Sequence, residues 1–274
     1  VGFSHSVGYT LQHAGTYTVV VTQTVGGVAS VVGGGGGATV TVVAGAIDHS
    51  RTTIKNSAGA NAPWTVAAGV DGVVVLKTYD AIGNPVMVDR SASSRIVASF
   101  TGARGGVNAT FRAAATYDPL TGSHSFAFNI ARADAYAIEY FVDGVVVPGG
   151  GSALTIARGS TASMSASIAG GAGLRAATAG ERATFFVTPR DAHGNALTSD
   201  DGVATTVTLT TSKNAAGEPG CQPGVVTAIA SSAYAFAWDA TTGRYEGSYA
   251  VEQAGTLKLS IERAGVPARG GPFT

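Results

Sequence analysis

A pattern that occurs twice at a fixed distance constrains this sequence more than any other feature. Ala68-Gly69 precedes an apolar run that ends in Asp80-Ala-Ile-Gly83-Asn84, and Ala179-Gly180 precedes a similar run that ends in Asp191-Ala-His-Gly194-Asn195. The two copies lie 111 residues apart. Each copy predicts a turn, a strand and a tight second turn, in which the Asp side chain accepts from backbone N–H groups and Gly or Asn tolerates a positive φ. The pattern therefore predicts an array of repeated β domains.

A second marker, at the other end of each copy, supports the repeat. The segment Tyr249 to Ile261 contains Ala254-Gly255 followed by alternating apolar residues, and it aligns with Phe128 to Tyr140 at a distance of 121 residues. The segment Tyr9 to Val21 has the same pattern, 240 residues before the last copy. The chain is thus predicted to begin with the end of one repeat and to continue through two more.

The length of the period and the composition indicate the fold class. A period of 111 to 121 residues matches the size of an immunoglobulin-like sandwich. Charged residues make up 12% of the chain, about half the usual ~25%, and glycine is about twice as frequent as usual, as many short strands and turns require. We predict an all-β chain of tandem immunoglobulin-like β-sandwiches, with the C-terminal part of a truncated repeat at residues 1–44 and repeats at 45–156 and 157–274.

Inward-facing residues predict a separate core in each repeat. In the truncated first segment, Tyr17, Val19 and Val21 alternate with polar residues as a half-buried strand does. Because half a sandwich cannot cover its own apolar face, we expect these three to be covered by an upstream part of the native chain, or to be disordered or paired with another molecule if that part is missing. The two predicted cores contain Val74, Leu76, Tyr136, Ile138 and Tyr140 in the first repeat, and Phe185, Val187, Leu257, Leu259 and Ile261 in the second.

Charge and cysteine content argue against several classes of partner. Seventeen basic residues balance seventeen acidic ones, which gives no electrostatic case for nucleic acid. No run approaches the ~18 apolar residues of a membrane span. The single cysteine, Cys221, excludes an internal disulfide; it lies in a Gly/Pro-rich insertion that is interpreted as a surface loop, where its thiol is either inert or able to pair with another chain. Asn108-Ala-Thr110 is the one N-x-S/T sequon and a candidate glycosylation site.

The polar residues do not form a pattern that is typical of an enzyme. The five histidines are dispersed, with no H-E-x-x-H motif, and each is interpreted as a surface or turn residue. Asp80 and Asp191 head glycine turns, but calcium needs six or more oxygens, so an Asx turn is the preferred interpretation. No nucleophile motif such as G-x-S-x-G occurs. We therefore predict a protein that is not an enzyme, with no catalytic residue, cofactor or metal.

Together, these residues resemble filamin-type immunoglobulin repeats. The resemblance is strongest in the second repeat, whose closing Gly270-Gly-Pro272-Phe273 is similar to the Gly-Ser-Pro-Phe of that family. Bacterial invasin-type repeats share the Asp-x-x-Gly-Asn turn and the Ala-Gly-Thr-Tyr strand, and they remain an alternative. The residues that carry the resemblance are Leu174, Ala179-Gly180, Phe185, Val187, Asp191, Gly194-Asn195, Gly243-Arg-Tyr245, Tyr249, Ala254-Gly255-Thr256 and Gly265 to Phe273.

The resemblance implies a structural role. The Ala/Gly-heavy composition is similar to that of green-algal proteins, and in that lineage such repeats resemble the ectodomains of plant and algal gamete-surface adhesion proteins. We therefore expect an adhesion array from a larger surface protein, at the cell surface. Filamin-type repeats also occur in ciliary and cytoskeletal scaffolds, so an intracellular scaffold is the alternative. Flanking sequence would distinguish the two: a signal peptide and a membrane span favour adhesion, and actin-binding or coiled-coil segments favour the scaffold.

The resemblance also implies a place for a protein partner. Filamin-type repeats accept an extended peptide at a sheet edge beside their third and fourth strands. In the first repeat the matching residues are Ile96, Ala98 and Phe100, preceded by a loop with no proline and one charge. In the second repeat the match is the threonine-rich segment 203–211, which the Cys221 loop is able to cover. The hypothesis from sequence is that the first repeat is the better acceptor for strand addition.

Overall fold

The computed structural model describes residues 6–33, 36–90, 95–103, 110–212, 234–251 and 256–274. Within these ranges the chain forms strands and no α-helix, apart from one turn of 3₁₀-helix at Ala172–Leu174. The all-β prediction is therefore confirmed.

The strands, in chain order, are β1 (Gly15–Val19), β2 (Thr22–Val25), β3 (Val28–Val31), β4 (Ala38–Val42), β5 (Ile47–Asn56), β6 (Trp64–Ala67), β7 (Asp71–Asp80), β8 (Ile96–Gly102), β9 (Thr110–Ala114), β10 (Thr116–Asp118), β11 (Ser123–Asn129), β12 (Asp134–Val142), β13 (Val145–Val146), β14 (Ser152–Ala157), β15 (Ile168–Gly170), β16 (Arg182–Thr188), β17 (Thr206–Ser212), β18 (Tyr234–Asp239), β19 (Arg244–Ala250), β20 (Thr256–Arg263) and β21 (Val266–Pro267).

The chain divides into two compact units. The first unit comprises residues 1–65, 71–128 and 134–155, and the second comprises 66–70, 129–133 and 156–274. The short segments 66–70 and 129–133 belong to the first repeat by sequence period, yet they cluster with the second unit. The repeat boundaries at 44/45 and 156/157 stay predictions.

Two sheets form the sandwich of the first unit. One has the order β10-β11-β7-β5, and the other has the order β6-β14-β12-β8-β9, with β13 paired to β12. β7 and β12 alternate between buried and more exposed residues along their length, as strands with one face on a core do. Their inward-facing side chains Val74, Leu76, Tyr136, Ile138 and Tyr140 are all buried. The core predicted for the first repeat is therefore confirmed.

The sandwich of the second unit is built in the same way, from fewer strands among the described residues. Its sheets have the orders β15-β16-β19-β18 and β17-β20-β21. Phe185 and Val187 of β16 pack in one cluster with Leu259 and Ile261 of β20, and Leu257 packs against that cluster while partly buried. Burying one such side chain contributes about 1.5–3 kcal/mol, so these five residues are a major part of the stability of the unit. The second predicted core is confirmed as well.

The N-terminal segment forms two isolated ribbons within the first unit, β1 with β4 and β2 with β3. Tyr17 and Val19 are partly exposed, and Val21 is 52% exposed. The aligned residues Tyr136, Ile138 and Tyr140 of β12 are buried by a facing sheet. The expectation that another segment or molecule covers Tyr17, Val19 and Val21 stays a prediction.

Candidate functional site

The strand predicted to accept a peptide in the first unit is not at the edge of its sheet. β8 pairs with β12 on one side and with β9 on the other. Its residues Ile96, Ala98 and Phe100 are fully buried. Because both sides of β8 already face a neighbouring strand, its backbone has no free row of hydrogen-bonding groups. The prediction that these three residues form a sheet edge is wrong.

The matching strand of the second unit is paired on one side. β17 joins Leu209 to Leu259 of β20, as β8 joins Phe100 to Ile138 of β12. Leu259 and Ile138 are 121 residues apart, so β8 and β17 occupy the same place in the two repeats. Among the described residues, no strand pairs with the other side of β17. Within the described residues, both sides of β8 are therefore paired and one side of β17 is.

The two faces of β17 differ sharply. Val207 and Leu209 are 3% and 1% exposed and anchor the strand in the core. Thr206, Thr208 and Thr210 lie on the opposite face, where they are exposed or partly exposed. Buried anchors fix the register of the strand, while β-branched threonines favour the extended backbone without hiding it from water. β17 is therefore anchored in the core by one face and presents threonines on the other.

An aromatic depression lies beside the start of this strand. It has a volume of about 390 Å³ and lies between the segment leading into β17 and the strand β18 of the facing sheet. The ring of Phe236 stacks on that of Tyr245 at 5.2 Å, and the ring of Trp238 meets Tyr245 edge-on at 5.2 Å. An extended peptide alongside β17 would place alternate side chains towards these rings. The lining residues are Asp200, Gly202, Val203, Ala204, Thr205, Phe236, Ala237, Trp238 and Tyr245.

A buried polar network fixes the base of the depression. The Tyr245 hydroxyl donates to Asp200 Oδ1 at 2.6 Å and also approaches Asp201 Oδ1 at 3.0 Å. Arg263 of β20 forms an ion pair with Asp201 and donates to the Thr205 hydroxyl. The side chains of Asp201 and Arg263 are 1% and 8% exposed. These bonds join the segment before β17 to β19 and β20, so the rim of the depression is held in place.

Ionisation in this network follows from its geometry. Burial raises the pKa of Tyr245, and donation to the Asp200 carboxylate raises it further, so the phenol keeps its proton. The same hydrogen bond lowers the pKa of Asp200. Burial alone would raise the pKa of Asp201, but the backbone N–H of Ala162 and the Arg263 guanidinium outweigh it, and the pKa is lowered. Both carboxylates are therefore ionised at neutral pH.

The corresponding position of the first unit holds His124, which the sequence analysis misassigned. His124 is fully buried on β11, its ring lies 4.9 Å from that of Tyr117, and its Nε2 accepts from the Arg90 N–H at 3.4 Å. Its Nδ1 has no partner among the described residues. Burial lowers the pKa of His124, which favours the neutral ring. The prediction that every histidine is a surface or turn residue is wrong at this position. The signal that could have found it is the alternation of His124 with Phe126 and Phe128, which are buried on the same face of β11.

The two Asp-x-x-Gly-Asn segments are Asx turns, as predicted. Asp80 Oδ1 accepts from the N–H groups of Ile82, Gly83 and Asn84 at 2.8–3.0 Å. Asp191 Oδ1 accepts from the N–H groups of His193 and Asn195, both at 2.9 Å. Gly83 and Gly194 have φ of 102° and 84°, which requires glycine at these two positions. Both carboxylates thus accept hydrogen bonds from backbone N–H groups of their own turns.

Two candidate modification sites, Asn108 and Cys221, lie outside the described residues. So does the loop that was expected to cover segment 203–211. In the part of the chain that the structure describes, no group of three or more histidine, cysteine, aspartate or glutamate side chains could hold a metal ion. The same part contains no helix long and apolar enough to cross a bilayer.

Comparison with known families gives one decisive result. Residues 161–274 match the family model of the Filamin/ABP280 repeat. The second repeat is thus similar to a filamin repeat over almost its whole length. The resemblance recognised from Phe185, Asp191 and the closing Gly-Gly-Pro-Phe is therefore confirmed, and the aromatic depression lies within the matched residues.

Solved structures that match this chain include adhesins and a filamin domain. The Escherichia coli adhesin FdeC is 19% identical at a TM-score of 0.49, over 95% of this chain and 73% of its own. Invasin, a bacterial integrin-binding protein, is 14% identical at 0.43, over 92% of this chain and 44% of its own. The Lin-41 filamin domain is 17% identical at 0.31, over 41% of this chain and 98% of its own. A search of curated proteins found no match.

Proposed function

We propose that this chain is a non-enzymatic array of immunoglobulin-like repeats whose second repeat binds an extended peptide segment of a protein partner. One observation carries the proposal: among the described residues β17 is paired on one side only, whereas its counterpart β8 is paired on both. An unpaired strand side is a template for main-chain hydrogen bonds, and the adjacent aromatic depression supplies contacts for side chains.

The first unit shows what fits this position. There, β9 lies antiparallel against β8, with Phe111 opposite Phe100 and Arg112 opposite Ser99. Five residues of β9 are enough to form that ladder. A strand of similar length supplied by another protein would complete the second unit in the same way.

A peptide from the chain itself tests the proposal. The probe is the synthetic decapeptide of residues 107–116, which contains β9 and is titrated into the isotope-labelled full chain while amide NMR signals are followed. We expect shifts at the β17 amides and at the Trp238 indole. Shifts confined to the first unit, or none at millimolar peptide, would contradict the proposal.

The matched controls are two N-methylated forms of the same peptide. One carries methyl groups on the amides of Phe111 and Ala113, and the other on those of Thr110, Arg112 and Ala114. Alternate amides of a strand point to the same side, so strand addition requires one set and tolerates loss of the other. Equal binding by both forms would show that contact is made through side chains alone.

The cellular location of the array is a separate part of the proposal. A cell-surface adhesion role is favoured by the low charge and repeated spacers, and gamete adhesion is its most specific form. A ciliary or cytoskeletal scaffold is the alternative. Antibody labelling of intact against permeabilised cells tests this point: signal in intact cells supports the surface role, and signal that needs permeabilisation supports the scaffold.

A further inference from the structure

The asparagine that ends each Asx turn makes two hydrogen bonds outside the turn. In the first unit, Asn84 Oδ1 accepts from the N–H of Ala14 at 2.9 Å, and Asn84 Nδ2 donates to the carbonyl of Gln12 at 2.9 Å. The same Nδ2 also donates to Asp80 Oδ2 at 2.8 Å. The carboxamide thereby holds the backbone of the loop just before β1.

The second unit repeats this arrangement atom for atom. Asn195 Oδ1 accepts from the N–H of Ala133, and Asn195 Nδ2 donates to the carbonyl of Ala131, both at 2.8 Å. Nδ2 also lies 3.0 Å from Asp191 Oδ2. Ala133 immediately precedes β12, as Ala14 immediately precedes β1. The two sets of distances agree within 0.2 Å.

The aspartate of each turn holds a third segment. Asp80 Oδ2 accepts from the N–H of Gly45, and Asp191 Oδ2 accepts from the N–H of Gly159, at 2.9 and 2.8 Å. Gly45 is the first residue of the first predicted repeat, and Gly159 is the third residue of the second. Each turn therefore binds the start of its own repeat through Asp and a loop of the preceding sequence repeat through Asn.

We propose that Asn84 and Asn195 are boundary clamps, which build a loop of one sequence repeat into the compact unit formed by the next. This accounts for residues 129–133, which belong to the first repeat by period and to the second unit by contact. In a tandem array, the clamp makes the ordering of each repeat's loop depend on the repeat that follows it.

The residue type fits this role. A carboxamide is both a donor and an acceptor, so one side chain satisfies the carbonyl of residue i and the N–H of residue i+2. Aspartate has no donor at neutral pH and would stand beside the carboxylate of Asp80 or Asp191, and serine is too short to reach both groups. The asparagine bonds only to backbone atoms of the loop, so the loops can differ in sequence, as Gln12-His-Ala14 and Ala131-Arg-Ala133 do.

The substitutions Asn195→Ala and Asn84→Ala in the full chain test the proposal, and each is the control for the other. Hydrogen exchange of single amides is measured by NMR. Asn195→Ala should speed exchange at Ala133 by about two- to tenfold, the range expected for loss of one hydrogen bond, and leave Ala14 unchanged. Asn84→Ala should do the reverse.

Trypsin gives an independent measurement in the second unit. Arg132 is exposed and lies in the middle of the clamped loop, between Ala131 and Ala133. A backbone held at both ends cannot adopt the extended form that a protease binds, so Asn195→Ala should increase the rate of cleavage after Arg132 and Asn84→Ala should not.

The amide of His193, which donates to Asp191 Oδ1, separates clamping from a merely structural role. If Asn195→Ala speeds exchange at His193 as much as at Ala133, the asparagine only supports its own turn and the proposal is overturned. Unchanged exchange at Ala133 would overturn it as well. Faster exchange at Ala133 alone, with faster cleavage at Arg132, supports the clamp.

Discussion

The two sandwiches place the same strand in different surroundings. β8 lies between two strands, while β17 is the outermost strand of its sheet among the described residues. In the other sheet of each unit, the cross-strand pair Tyr117–His124 of the first unit corresponds to Trp238–Tyr245 of the second, 121 residues later in the sequence. The comparison shows that the two repeats keep the same core strands although, among the described residues, β8 is paired on both sides and β17 on one.

The largest expected effect comes from breaking the Asp201–Arg263 ion pair of the second unit. Arg263 corresponds by period to Val142, which is buried in the first unit. Arg263→Val should destabilise the second unit by about 3–5 kcal/mol, because it leaves the Asp201 carboxylate buried and unpaired. Urea unfolding of the full chain measures this effect.

The double variant Asp201→Asn with Arg263→Val is the control for this prediction. It removes the charge together with its partner, and it should be more stable than Arg263→Val alone. A double variant as unstable as the sum of the two single changes would show that Arg263 contributes through packing and not through charge.

The second prediction compares matched positions on the two strands. Ser99 on β8 is 8% exposed and lies opposite Arg112 of β9, while its counterpart Thr208 on β17 is partly exposed. Ser99→Lys should cost about 1–3 kcal/mol, because it places a charge in a covered position. Thr208→Lys should stay within about 0.5 kcal/mol, as surface substitutions do. Equal losses in thermal unfolding would mean that β17 is covered like β8.

The third prediction concerns pH and separates the two units. Because burial lowers the pKa of His124, the unfolded chain binds a proton there more readily than the folded chain does. The stability of the first unit should therefore be full above the unfolded histidine pKa of about 6.5 and fall as the pH drops below it. Asp89 and Arg90 act on the same ring with opposite signs, and burial is the larger cause.

Hydrogen exchange of β11 and β19 amides between pH 7.5 and 5.5 measures this difference, after correction for intrinsic exchange rates. The β19 amides should not show the change, because Tyr245 stays protonated throughout that range. A loss of protection in both units to the same extent would contradict the assignment to His124. The substitution His124→Gln, which introduces a side chain that does not titrate, should remove the pH-dependent loss of protection from the first unit.

The smallest expected effect lies on the outer face of the second unit. The Arg244 guanidinium lies 4.0 Å from the centre of the Phe186 ring and pairs with Glu246 at 2.6 Å. By period, the first unit has Ser123 and Val75 at the positions of Arg244 and Phe186, so it has no such contact there. Arg244→Gln should cost about 0.5–1 kcal/mol in urea unfolding. A loss above about 2 kcal/mol would indicate a larger role for this exposed face.

Sequence reasoning was most successful where the pattern is local. Alternation in β7 and β12 identified Val74, Leu76, Ile138 and Tyr140 as core residues, and the spacing of Asp, Gly and Asn identified both Asx turns. It was wrong for β8, because whether a strand lies at an edge depends on which distant segment pairs with it. It also missed His124, the Asp201–Arg263 pair and both asparagine clamps, whose partners lie between 34 and 72 residues away.

The sequence by itself determined the fold class, the existence of repeats and the two cores. The alternation of side chains along a strand and the residue types of a turn act over a few neighbouring residues, so both are visible in the sequence. Only the tertiary structure decided that β8 is paired on both sides, which titratable groups are buried and which loop each turn holds. Those outcomes depend on pairings between segments far apart in sequence, and the free energy of such a pairing is set by geometry that no local pattern encodes.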